Sequence, residues 1–246
     1  MISTKKSRRG SGMYKVLILI LLAASSPSYG QTVAEILSAA RVNLKDQSAV
    51  NNRQQFTDAT LITFLNDGQR EANVLSWLLQ TQTTLTLVAG TREYTLPANF
   101  LATDRVIHNN IKLEQTSLSQ LDANNTGWLN STGATPQKYY LYRTTTTVMG
   151  FHPKPSSPTV TSVTVYYLQQ PIEISATSET PWNGWNNLTP YHSALIYYVS
   201  YRAFRSLEET ELANAYYQEW LGSIEMMRRG IYSTPDFNPG FTGQRK

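Results

Sequence analysis

Two apolar, tyrosine-rich segments near the C-terminus, Pro190 to Leu207 and Thr210 to Arg229, constrain the fold of this chain more than any other feature. The first carries Tyr191, Ala194, Leu195, Tyr197, Tyr198, Val199, Tyr201 and Phe204 around most of a helical circumference, the pattern of a helix covered on several sides. Pro190 suits a first helical turn, and Glu208 to Glu211 makes a polar elbow in which Thr210 is placed to cap the next helix. The second segment spaces Ala213, Tyr217, Trp220, Ile224 and Met227 three or four apart, with its polar residues mostly elsewhere. The expectation is a helical hairpin that mainly packs. Its aromatic residues Tyr197, Tyr198, Tyr201, Phe204, Tyr216 and Trp220 are candidates for contact with neighbouring copies, because a lone small domain would struggle to cover so many sides.

Upstream, Val33, Ile36, Leu37, Ala40 and Leu44 recur at helical spacing, and the polar stretch Lys45 to Gln55 ends that helix. A longer helix follows, capped by Thr57 or Asp58, with Leu61, Leu65, Ala72 and Leu75 as its buried stripe and Gly68 permitting a close helix approach. Asn66, Asp67, Gln69, Arg70 and Glu71 read as its polar face. From Thr81 the period changes to two. Leu85, Leu87, Tyr94 and Leu96 alternate with polar residues about a turn at Gly90, which reads as a hairpin. Further strands are expected at Arg105 to His108, Lys138 to Arg143, Thr146 to Phe151 and Val160 to Leu168. The polar segment Gln115 to Thr135, short of apolar anchors, reads as an exposed excursion, with Asn125, Trp128 and Asn130 at its tip. The fold class is therefore α+β: two N-terminal helices and a C-terminal helical hairpin, with an antiparallel sheet inserted at about 81–170.

Both ends differ from this body. Residues 1–30 hold a basic start, the apolar run Val16 to Ala24 and the small residues of Ser28-Tyr29-Gly30, the pattern of a secretory leader. The same stretch also fits an arm docked on a neighbour, or a chain whose translation starts at Met13. The run is short for a membrane span, and no stable membrane contact is expected. At the other end, residues 230–246 contain three glycines and two prolines, with Tyr232, Phe237 and Phe241 spaced among them. Such a tail is either disordered or laid into a groove on a partner.

Chemistry is conspicuous by its absence from the sequence. The formal charge is +4, but five cations, Lys5, Lys6, Arg8, Arg9 and Lys15, lie in the leader without an acid, so residues 31–246 carry a net −1. Duplex DNA needs a concentrated cationic surface, and this body offers none. There is no cysteine, which excludes disulfides and thiolate metal sites. His108, His152 and His192 form no close ligand pair, and neither a phosphate-cradling glycine loop nor a GxSxG elbow occurs. Glu208, Glu209 and Glu211 fit a helix start, where carboxylates meet the positive end of the dipole. No enzyme activity and no cofactor are expected. Trp182 and Trp185 fit a lid over the start of the Pro190 helix better than a sugar-stacking platform. Asn124, Asn130 and Asn187 begin glycosylation-type triplets, which carry weight only in an exported protein.

The order helix, helix, inserted sheet, helical hairpin resembles the head-to-tail adaptor (connector) proteins of tailed bacteriophages. The words TLITFLNDGQRE (60–71), YTLPANF (94–100), MGFHPKP (149–155), VTVYYLQQP (163–171) and YHSALIYYVSYRAF (191–204) carry the resemblance, over roughly residues 33–229. It implies a virion protein assembled in the host cytoplasm. Twelve copies would form a ring under the portal protein and present a platform to a tail or nozzle protein, with genomic DNA passing through without sequence-specific binding. On this reading residues 31–229 form one adaptor domain, Tyr232, Phe237 and Phe241 contact the portal, and Asn125, Trp128 and Asn130 face the tail. The leader departs from the family. Taken at face value it favours the alternative, a periplasmic or secreted glycan-binding or interaction protein using Trp128, Trp182 and Trp185.

Overall fold

The computed structural model describes residues 30–46, 55–124, 126–156, 161–183 and 185–232. The leader as far as residue 29, with Met13, and also Asn125, Phe237, Phe241 and the side chain of Tyr232 lie outside the described residues.

Among the described residues there are five α-helices: α1 (Val33–Asn43), α2 (Asp58–Ser76), α3 (Leu118–Asn124), α4 (Ala194–Ser206) and α5 (Thr210–Tyr232). Capping explains two of the starts. Thr32 and Glu35 form a reciprocal capping box on α1, and the Thr57 hydroxyl accepts the Thr60 N–H on α2. At the elbow between α4 and α5, the Glu209 N–H reaches back to the Phe204 carbonyl and the Glu208 N–H to that of Arg205, while Glu208 sits at φ +63°. This is a Schellman termination with glutamate in the place usually taken by glycine. Thr210 does not cap α5: it is the first helical residue, and its hydroxyl donates to the Glu208 carbonyl.

The hairpin's outer limits also differ from the periodicity. Pro190 lies in a 3₁₀ stretch, Asn186–Tyr191, and the α-helix begins only at Ala194. Short i→i+3 bonds, such as Leu188 N–H to the Trp185 carbonyl, wind this stretch tightly enough to bury Leu188, and they ask for no N–H from Pro190. At the far end α5 continues three residues past Arg229, because Ile231 still packs against the helical core. Residues 230–232 thus belong to the helix and not to the tail.

Helix α4 is covered by its own chain. It packs against α1, α2 and α5, and Leu195, Val199 and Ala203 are fully buried there. The argument that neighbouring copies are needed to cover this helix therefore falls away. Gly68 on α2 allows the crossing: a methyl group there would sit 2.8 Å from Tyr198 Cδ1 and 3.1 Å from Leu195 Cδ2. Gly222 on α5 is the natural control, exposed with no atom within 4 Å of an added Cβ. Gly68→Ala is expected to destabilise by about 1–2 kcal/mol, overpacking outweighing the better helix propensity, whereas Gly222→Ala stabilises by about 0.5–1 kcal/mol. Urea melts of the two variants check the opposite signs.

Among the described residues ten strands build the insertion: β1 (Gln80–Leu87), β2 (Glu93–Thr95), β3 (Phe100–His108), β4 (Ile111–Lys112), β5 (Glu114–Gln115), β6 (Thr132–Gly133), β7 (Lys138–Arg143), β8 (Thr147–His152), β9 (Lys154–Pro155) and β10 (Thr161–Gln169). They make two four-stranded sheets, β1-β10-β3-β4 and β2-β8-β7-β5, and a two-stranded β6-β9 piece. The long pairs are antiparallel, while β5–β7 and β6–β9 are short parallel pairs. The two sheets share one core of Leu87, Phe100, Val106, Met149, Phe151, Val163 and Val165.

The expected hairpin about Gly90 does not form, since β1 pairs with β10 and β2 with β8. The turn instead carries the chain from one sheet to the other. Gly90, at φ +80°, donates to the Pro155 carbonyl, and the Tyr94 hydroxyl accepts the Val88 N–H, fixing the corner. The segment Gln115 to Thr135 is likewise anchored rather than a free excursion. It contains α3 and a 3₁₀ turn at Trp128–Asn130, and its Leu121 and Trp128 pack with Tyr140 in a small core of their own.

Candidate assembly surfaces

The aromatic seam between α4 and α5 divides by burial. Tyr198, Phe204 and Trp220 are 3%, 6% and 0% exposed, so they have little surface left to give a neighbour. Trp220 meets Tyr198 edge-on at 5.0 Å, Phe204 stacks on Tyr216 at 5.4 Å, and Tyr201 lies 4.7 Å from Tyr217. Tyr197, Tyr201 and Tyr216 stay half-buried, with accessible surface. Beneath the seam, the Glu71 carboxylate accepts from the Tyr198 hydroxyl at 2.8 Å and from Tyr217 at 3.5 Å. Arg202 donates to Tyr198 and pairs with Asp67 at 2.9 Å. Burial pushes the Tyr198 hydroxyl above its ordinary pKa, with the Arg202 bond opposing and Glu71 adding to the rise, so it stays a protonated donor. This is a structural weld between α2 and the hairpin.

Trp128 is 4% exposed, with its indole N–H on Asp122 at 2.7 Å, the Arg92 guanidinium over its ring and Tyr140 edge-on at 5.6 Å. Neither a tail-facing contact nor a sugar platform is available from that ring. Asn130 is exposed on the same segment. Trp182 is 2% exposed and belongs to the helical core, with Trp185 half-buried beside it, which is the lid arrangement. The glycan-binding alternative thereby loses two of its three rings. Tyr232 ends α5, so any contact it makes continues from a helix.

A feature not read from the sequence joins the helices to the sheets. Asn66, Gln69 and Asn73 lie on one face of α2 and are 9%, 1% and 0% exposed, while Leu75, expected in the buried stripe, is 43% exposed. Asn66 holds the backbone of Ile174 by both groups at 2.9 Å and accepts from Gln69 at 3.0 Å. Gln69 in turn accepts the Trp182 N–H at 2.7 Å. Asn73 donates to the Gln169 carbonyl at 2.8 Å and accepts the Leu79 N–H at 2.9 Å. The connection leaving β10 is thus strapped along α2, and the Val33 and Ala34 N–H groups clamp it from the other side through the Glu179 and Thr177 carbonyls. Extended backbone buried against a helix needs partners for its amides, and three amide side chains at i, i+3 and i+7 supply them. That spacing was the available signal.

The histidines stay apart. Burial lowers the pKa of His108, His152 and His192, favouring neutral rings, with Arg92 and Lys138 adding to the effect at His152 and the Gln31 carbonyl opposing it at His192. His192 Nδ1 lies 3.2 Å from that carbonyl, which can only accept, so Nδ1 carries the proton. Among the described residues no group of three His, Asp or Glu side chains comes together, and no helix is long and apolar enough to cross a membrane. The site that remains is a set of surfaces: the outer tyrosines of the hairpin, the Asn130 segment and the open edges of the two sheets.

A comparison with curated proteins finds no match. A family model described as SU10 adaptor protein matches residues 31–238, a span that takes in every helix and strand described above. The chain belongs to the SU10 adaptor protein family, the phage head-tail adaptors.

Proposed function

We propose that this protein is a non-catalytic structural component of the virion. On this reading it forms a closed ring, of twelve copies, beneath the portal, joins the head to a tail or nozzle protein, and lines part of the DNA conduit. The family match over residues 31–238 carries this reading. The charge pattern supports it, since a body of net −1 suits a passage that must not hold its cargo. Tyr197, Tyr201 and Tyr216 are the proposed contacts of the hairpin with neighbouring copies, and Asn130 the proposed tail-facing position. Residues 31–229 are proposed to act as one adaptor domain. The leader is proposed to stay attached or to be bypassed by translation from Met13, because virion assembly takes place in the host cytoplasm.

The tail, through Phe237 and Phe241, is proposed to lie against the portal together with Tyr232 at the end of α5, where a weak contact copied around a ring becomes a strong one. Deleting residues 233–246 tests this. The truncated chain is expected to melt like the full chain, because it keeps α5 to Tyr232, yet to leave DNA-filled or leaking heads without tails. Electron microscopy of particles from a complemented deletion phage reads both the ring and the joining. Normal tail joining shifts the portal contact to the helices, and a single copy per particle overturns the ring.

A further inference from the structure

We infer that the ring closes by strand addition, β1 of one copy pairing with the free edge of β3 in the next. The inference rests on the ring proposed above and names the contact that makes it. β1 is the outermost strand of its sheet, and its eight residues, QTQTTLTL, contain no charge and no proline. Edge strands that stay single are usually short, charged or interrupted by proline, because an open ladder recruits another chain. β1 has none of these protections.

The parity of its backbone groups is fixed by one bond. The Leu79 carbonyl accepts the Gln169 N–H, so Leu79, Thr81 and Thr83 turn towards β10, while Gln82, Thr84 and Thr86 turn their N–H and C=O groups outward. At the opposite end of the same sheet, β4 pairs with Ile107 and His108 of β3, and Leu113 just after it donates to the Val106 carbonyl, which leaves the stretch before Val106 without a strand partner on this edge among the described residues. The Leu101 carbonyl faces away from β10, where it accepts from the Arg143 guanidinium, and Thr103 shares that direction. Among the described residues no strand pairs with this stretch. A cavity of about 520 Å³ borders it, walled on the far side by Leu141 to Arg143 of β7, and the Thr103 hydroxyl oxygen is buried beside it without a partner.

Direction and symmetry agree. β1 and β3 are both antiparallel to β10, so they run parallel to one another. A neighbour related by rotation about a ring axis therefore presents β1 parallel to β3, and each copy offers one edge of each kind. Such a head-to-tail contact closes into a ring when its rotation is a whole fraction of a turn, whereas β1 pairing with β1 would be antiparallel and stop at a dimer.

The test uses the full chain on portal-containing heads. Thr84→Pro removes an outward N–H that β10 does not use, and proline is tolerated on an edge, so folding and melting are expected to stay unchanged. Loss of one such bond weakens each contact about fivefold, and repetition around the ring turns this into loss of stable attachment. Thr83→Pro, whose N–H faces β10, is expected to damage folding itself. Because the chain has no cysteine, pairs combining Thr84→Cys with Leu101→Cys, Ala102→Cys or Thr103→Cys report contact directly. A ladder of disulfide-linked oligomers from at least one pair, and from no single variant, is the expected result. Full rings with Thr84→Pro and no cross-link from any pair would overturn the strand contact and leave the ring standing. Dimers from Thr84→Cys alone, or a lone copy on each head, would overturn both.

Discussion

Asn66→Ala is expected to lower the unfolding free energy by about 4 kcal/mol, which places it among the most damaging single changes in the chain. The substitution strips partners from three buried groups at once, the N–H and C=O of Ile174 and the side-chain amide of Gln69. Each stranded group costs about 1–3 kcal/mol, and the cavity left behind is small. Asn66→Asp is a sharper probe. It keeps the acceptor for Ile174 N–H and Gln69 but faces the Ile174 carbonyl with a second acceptor, and is expected to cost at least as much. Urea unfolding of the purified chain measures both. A change under 1 kcal/mol for Asn66→Ala would mean that water replaces the strap and that the connection leaving β10 is held by its apolar contacts alone. The strap fixes the sheets on the helical body, and in the proposed ring it would hold one copy's β1 edge in a set orientation to the next copy's β3 edge.

Trp220→Ala is expected to cost a similar amount, about 4 kcal/mol, through the lost burial of the ring and the cavity left against Tyr198. This variant separates two accounts of the aromatic hairpin. If Trp220 belongs to the core of each chain, the loss appears in the isolated protein before any ring exists. If it were a contact between copies, the isolated chain would melt normally and only assembly would suffer. Tyr216→Ser is the matched comparison, because Tyr216 keeps solvent-accessible surface while stacked on Phe204. It is expected to leave the monomer's melting within a few degrees and to act on attachment to heads. Thermal melts of both variants, set beside the fraction of heads that carry the protein, distinguish the accounts.

The sequence by itself determined the elements that local periodicity can specify. The apolar stripes of α1 and α5, that of α2 except for the exposed Leu75, the cap at Thr57, the strand expected at Val160 to Leu168 and the close approach at Gly68 were legible, because each is set by residues within a turn or two of one another. Two of the words that resemble the adaptor family, TLITFLNDGQRE and VTVYYLQQP, lie on α2 and β10, and the others on β2, β8, β9 and α4, all within the matched residues 31–238. Tertiary structure decided what depends on partners far along the chain. Which strand β1 joins was settled by β10, eighty residues away, and not by the turn at Gly90. Asn66 and Gln69 read as part of a polar face and Asn73 did not stand out, since an amide at helical spacing reads the same whether water or a distant backbone satisfies it. Trp128 looked available for contact until neighbours remote in sequence closed over it, whereas Trp182 takes the lid position its sequence context suggested. Burial is a property of the assembled surface, and a residue's own letter states only what it would gain from being buried.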